Sequence, residues 1–291
     1  MTKARSFLER ALALDPRNIE ALVGMAGVDL GMAANYLIDD GVARLAVAET
    51  ALTRVLSLAP QHARAHMFMG VVRIYTNRAA QGIAQCEQAL MLDRNLASAH
   101  GFIGLGKIFL GRGEETEAHV QEAFRLSPRD ISAYWWMVFV ASAKLHLNAD
   151  AEAVTWLRRS IEANPNWPLS HFHLAAALAL LGSLDDARAA AQAGLALDPG
   201  FTLRRLFLGA SNNPTLHASG RRVAGGMLMA GCQRANVRFG VKLRRTQCEQ
   251  MSSGSLNTVA MSQRCRFCCK SRFAEGVKNS EGRRRVFRVE I

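Results

Sequence analysis

The chain has 291 residues, 49% apolar and 21% charged, so it can bury a sizeable core and is too apolar to be disordered throughout. Its net charge of +12 sits at one end: residues 1–220 carry 20 basic and 20 acidic side chains, residues 221–291 carry 16 and 4. That last stretch also holds five of the six cysteines and no Trp, Tyr or His. The first ten residues lack a signal-peptide core, and the apolar run Leu174–Leu181 falls well short of the ~20 residues of a membrane span. With no disulfide-framework spacing, the sequence predicts a cytoplasmic chain with no membrane partner.

Taken in chain order, six segments close alike: Ala11–Pro16, Val55–Pro60, Ala89–Arg94, Ala123–Pro128, Ser160–Pro165 and Gly194–Pro199. Their last residues lie 44, 34, 34, 37 and 34 apart. A second marker, a small residue followed by Leu, His or Tyr, recurs at Ala21, Ala65, Ala99, Ala133 and Ser170 with intervals of 44, 34, 34 and 37. These agree on a half repeat at 1–16, with a helix over Ser6–Leu14, and on repeats at 17–60, 61–94, 95–128, 129–165 and 166–199. Within 166–199 the apolar spacing predicts a helix over Leu169–Leu181, a turn at Gly182-Ser183, and a second helix over Leu184–Leu197 that Pro199 cannot prolong. The ten extra residues of the first full repeat are placed around Tyr36–Gly41 and the three of the fourth around His146–Asn148. Both are assigned to the turn between paired helices. Neither helix of a pair can bury its apolar face alone, so the pairs must stack into an all-α solenoid.

Leu174, Leu178, Gly182, Ala187 and Pro199, with Gly70, Gly104, Ala89 and Ala123 in other repeats, resemble the tetratricopeptide repeat (TPR) family over roughly residues 1–200. Arg94 in place of Pro and Thr116 in place of Ala depart from its pattern. The resemblance implies a right-handed superhelix whose first helices line a concave, protein-binding groove. The half repeat at the start implies a C-terminal piece of a longer ancestor. Phe201–Arg205, Asn213–Thr215, Arg221-Arg222 and Gly226–Gly231 resemble the closing segment of TPR regions in rhizobial-type adenylate/guanylate cyclases and winged-helix regulators. This implies a capping segment at 201–239 and a regulatory, non-catalytic role. The alternative is a fragment of such a cyclase-type regulator without its catalytic domain.

Few residues point to chemistry. Gly101-Phe-Ile-Gly-Leu-Gly-Lys107 starts like a phosphate-binding loop, but Ile108 stands where Ser or Thr should hold magnesium, and the segment reads as helix. His66, His100 and His171 share one repeat position, yet stacked helices lie ~8–10 Å apart and cannot converge them on a metal. They are read as packing residues, and no metal or cofactor is expected. By the Ala133 marker, Trp135 and Phe139 are groove positions, equivalent to Val23 and Gly27, Met67 and Val71, Gly101 and Leu105, and Phe172 and Ala176. All are apolar or small, so no clamp for acidic tails is present; an apolar helix or extended segment of another protein suits them. A terminal helix of the same chain could fill the groove instead. The candidate binding residues are Met67, Val71, Tyr75, Leu105, Phe109, Trp135, Phe139 and Phe172.

Residues 240–291 are expected to form a basic, disordered tail. Cys265, Cys268 and Cys269 make half a zinc site, with no second pair and no His after His217. Arg244-Arg245, Arg264, Arg266, Lys270, Arg272 and Arg283–Arg285 could meet nucleic-acid phosphates, but only Phe267, Phe273 and Phe287 are there to stack on bases. Nucleic acid is therefore a partner only through this tail, if at all. The abrupt change of composition also fits translation in a shifted frame.

Overall fold

The computed structural model describes residues 2–34, 40–206 and 213–232, and all regular structure there is helical. The expected tail 240–291, with Cys248, Cys265, Cys268 and Cys269, lies outside the described residues. A lone helix α1 (Thr2–Leu14) precedes five antiparallel pairs. These are α2 (Ile19–Ala34) with α3 (Gly41–Leu58), α4 (Ala63–Tyr75) with α5 (Ala79–Leu92), and α6 (Ala97–Phe109) with α7 (Thr116–Leu126). The last two are α8 (Ala133–His146) with α9 (Asp150–Ala163), and α10 (Pro168–Leu180) with α11 (Leu184–Leu197). A short turn of helix, α12 (Leu203–Leu206), and α13 (Pro214–Met229) follow. Each second helix packs on its own first helix and on the next one, which makes the array an α-solenoid.

Small residues set how closely the paired helices approach. A Cβ added to Gly70 would lie 2.7 Å from the Gly82 carbonyl oxygen and 2.6 Å from Cys86 Sγ, so α4 and α5 touch backbone to backbone. One repeat on, Gly104 admits Thr116, whose fully buried hydroxyl donates to the Gly104 carbonyl at 3.0 Å. That bond explains how Thr replaces the family's Ala without an unsatisfied hydroxyl. In the next pair Ala141 faces α9 as a fully buried residue, and Ser160 donates to the Tyr134 carbonyl at 2.9 Å.

Four first helices end in the left-handed region, at Asn77 (φ 60°), Gly111 (77°), Asn148 (61°) and Gly182 (85°). Asn and Gly are the residues that tolerate this conformation. Their spacing of 34, 37 and 34 fixes a register that corrects the sequence reading of α8. Counted back from these turns, Trp136 occupies the position of Ala65, Ala99 and Ser170; Ala133 does not. Burial agrees, for Ala65, Ala99, Ser170 and Trp136 are all at most 1% exposed. The three extra residues therefore fall ahead of α8: the connection 127–132 has six residues where 93–96 has four, and α8 is one residue longer than α6. The turn at 147–149 is of ordinary length, so the placement around His146–Asn148 is wrong. In the first full repeat the ten extra residues are shared out rather than confined to a turn. Among the described residues, α3 is four longer than α5 and α2 at least three longer than α4.

Both ends of the array are pinned by a buried aspartate. Asp29 on α2, 2% exposed, bonds Arg5 of α1 and lies 3.3 Å from Arg44 of α3. Asp150 on α9, 7% exposed, takes both guanidinium nitrogens of Arg222 from α13. Between α11 and α13, Phe201 stacks on Phe172 with centroids 3.7 Å apart, and Arg205 lies 3.3 Å from Asp198.

Candidate functional site

Residues from five first helices meet on one face. Ala34 of α2, Tyr75 of α4, Leu105 of α6, Trp135, Val138, Phe139 and Ser142 of α8, and Leu169 and His173 of α10 line a cavity of about 50 Å³ with Trp167. Its wall is aromatic: Trp135 and Trp167 stack at 5.9 Å and 19°, and Tyr134 meets the edge of Trp167 at 4.9 Å. Its polar groups are few. The indole Nε1–H of Trp135 is buried with no hydrogen-bond partner. His173 donates from Nδ1 to the Leu169 carbonyl at 2.9 Å, which leaves Nε2 as an acceptor in the neutral ring. Burial holds His173 below the usual histidine range and so favours that neutral form. Ser142 adds a hydroxyl.

Of the eight candidate residues, the cavity brings together Tyr75, Leu105, Trp135 and Phe139. Met67 and Val71 are buried on α4 outside it, and Phe109 packs its ring against Tyr75 at 5.6 Å. Phe172 is committed to internal packing, between Phe201 and the backbone of Gly194. With the corrected register, the equivalents of Met67 and Val71 on α8 are Val138 and Ser142, and Trp135 is one position ahead of the small-residue marker, like Leu169 on α10. Sequence reasoning missed Val138, Ser142, Ala34, Trp167, Leu169 and His173. The left-handed Asn148 was the signal that could have found the first two.

The same face carries a helix of this chain. Asn213 caps α13 by accepting from the Thr215 and Leu216 amides at 3.0 and 3.4 Å, and its side-chain amide sits against Gly111. One turn on, Ser219 pairs with His146 Nδ1 at the end of α8. Arg222 then reaches Asp150 and, at 3.2 Å, the Leu145 carbonyl. A Cβ on Gly226 would lie 2.7 Å from the Ala176 carbonyl oxygen and 3.1 Å from Leu180, so glycine lets α13 rest on α10. The expected groove position Ala176 is thus covered from within the chain. Every motif of the closing segment that falls among the described residues has a packing or capping task.

The other chemical suggestions resolve as packing. His66 Nε2 bonds the Pro60 carbonyl at 2.8 Å and His171 Nε2 the Pro165 carbonyl at 2.9 Å, each tying a first helix to the turn before it. Gly101–Lys107 lies within α6, where Gly101 makes room for Trp136 and Lys107 pairs with Glu115 at 2.8 Å. Burial pushes the Cys86 thiol up to about 12, which leaves it protonated and unreactive. Among the described residues no three His, Cys, Asp or Glu side chains are placed to hold a metal, and no helix is long and apolar enough to cross a membrane.

No family model matches the chain, and no curated protein matches it. Solved structures do. A chain of the APC/C hetero-tetramer Cut9-Hcn1 matches with a TM-score of 0.56 at 14% identity, over 76% of this chain and 46% of that one. PilW, a widely conserved type IV pilus biogenesis factor, matches at 0.50 and 18% identity, over 70% of this chain and 88% of that one. TTC0263, a thermophilic TPR protein of Thermus thermophilus, matches at 0.50 and 15%, over 70% and 99%. At these identities the likeness shows the fold: the chain is an α-solenoid of TPR type, an architecture used for protein-interaction scaffolds.

Proposed function

We propose that this chain is a non-catalytic scaffold that receives an apolar segment of a partner protein on its first-helix face. The observation that carries the reading is the aromatic-walled cavity with the unpartnered indole N–H of Trp135. A buried donor left unpaired costs ~1–3 kcal/mol, and a carbonyl from a bound segment would recover it. Tyr75, Leu105, Trp135 and Phe139 supply the apolar wall; Met67, Val71, Phe109 and Phe172 support it from the same helices. A regulatory place in a signalling protein belongs to the same reading and rests on the residues of the closing segment; a cytoplasmic location rests on the N-terminal sequence and the cysteine spacing.

The test is a pull-down followed by titration of each captured partner. Trp135→Ala with Phe139→Ala should weaken binding at least ~10-fold, as loss of a central aromatic anchor does. Trp135→Phe, which keeps an aromatic ring but removes the N–H with the pyrrole half of the indole, should weaken it less. If the double variant folds and retains every specific partner, this face is not the binding site.

A further inference from the structure

We propose that the surface of α8 and α10 beneath α13 is a helix-receiving face that the chain's own α13 holds shut, and that protonation of His146 and His173 opens it. The inference rests on the scaffold reading only for its consequence, access of a partner helix to this face. Release of α13 is measurable with no partner present, so the two readings fail separately.

The geometry is that of a latch. α13 docks through a narrow apolar stripe, with Val223 and Met227 buried and Leu216 partly so. Gly226 rests on α10 at the end of that stripe, and polar anchors run along one line before it: Asn213 at Gly111, Ser219 at His146, Arg222 at Asp150. Ser219 also donates to the Thr215 carbonyl at 2.9 Å, and a hydroxyl has one proton to give. With that proton on Thr215, Ser219 accepts from Nδ1–H of a neutral His146. His173, partly buried on α10, has likewise committed its Nδ1–H to Leu169. A further proton on His146 must go to Nε2 and bring a full positive charge into the contact, and one on His173 would add a second positive charge beside His146.

Apart from the exposed Glu114, the carboxylates nearby are already engaged. On α9, Asp150 is held by Arg222 of α13. Lys144 of α8 occupies Glu117 of α7 at 2.9 Å and Glu152 of α9 at 2.6 Å. In the turn before α7, Glu115 is held by Lys107 of α6 and by Arg112, while Glu114 is exposed. On α13, Arg221 is exposed and of the same sign as the new charge, and His217 is exposed. On α10 the group facing His146 is His173 itself.

The sign follows. Burial, and then the neighbouring His173, push His146 down to about 4, and burial lowers His173. Against an ordinary histidine near ~6.5 in the released state, docking is complete above that pH and is lost as pH falls toward the docked value. With the whole of that shift lost on release, His146 alone weakens docking by up to about 30-fold between pH 7.5 and pH 5.

Amide hydrogen exchange on the full chain, corrected for intrinsic rates, tests this. Protection of residues 214–229 should fall at least ~10-fold from pH 7.5 to pH 5, with α4–α7 unchanged. Arg222→Gln, which removes an anchor, should leave 214–229 unprotected at both pH values. His146→Asn with His173→Asn, whose amide nitrogen stands in the place of Nδ1 but cannot gain charge, should hold protection constant across that range. Equal protection of 214–229 at both pH values in the unaltered chain would overturn the proposal. So would loss in step with α4–α7, which is general acid unfolding, or continued protection in Arg222→Gln.

Discussion

The middle of the array and its two ends are held by different means. Between α4 and α7 the helices meet through glycines: Gly70 on Gly82, and Gly104 on Thr116. At the ends, α1 and α13 are fastened by guanidinium–carboxylate pairs, Arg5 and Arg44 on Asp29 and Arg222 on Asp150. A repeat with neighbours on both sides can bury an apolar face in each direction, and ion pairs such as Arg78 with Glu49 at 2.8 Å only add to that. A terminal helix has one neighbour and less apolar area to give up, so directional, charged contacts must fix where it lies.

Three substitutions press on that contrast. Gly70→Ala drives a methyl into the Gly82 carbonyl and Cys86, neither of which can step aside, and should cost about 3 kcal/mol in urea unfolding despite the better helix propensity of alanine. A loss under ~1 kcal/mol would mean that the glycines are incidental to packing. Asp29→Asn leaves Arg5 and Arg44, 25% and 33% exposed, without their anion. Because both can turn to water, the loss should be about 1.5 kcal/mol, and added salt should shrink the gap to the unaltered chain. Gly225→Ala should do the reverse of Gly70→Ala. No heavy atom lies within 4 Å of the new methyl on α13, so the helix gains up to about 1 kcal/mol and the Tm rises slightly. A fall in Tm would show that α13 packs as tightly as the interior repeats.

The repeat itself was legible because two kinds of constraint recur at fixed spacing: helix-ending Pro and helix-contact Ala or Gly. The helix pair in 166–199 was read to within a residue, at Pro168–Leu180 and Leu184–Leu197 against the expected 169–181 and 184–197. The fourth repeat was misread because Trp136 takes a position that is small in its neighbours, while Ala133, three residues earlier, imitates the marker. A tryptophan fits there because α6 offers Gly101 opposite it: the added Cβ of that glycine would lie 2.7 Å from the Trp136 ring. That compensation spans 35 residues and has no local signature. The cavity was half legible for the same reason, since the shift of register moved Val138 and Ser142 into it. The path of α13 could not be read at all, because Ser219 to His146 and Arg222 to Asp150 join residues more than 70 apart through single side chains.

That path has a mechanical consequence. A stack in which each unit touches only its neighbours can fray from its end, one pair at a time. Here α13 runs from Gly111 past His146 and Asp150 to Ala176, stitching three successive pairs together across the grain of the stack. Under tension applied at the C-terminal end, the last pair cannot peel away alone. α13 must come off first, and the three pairs beneath it then lose a common brace in a single step.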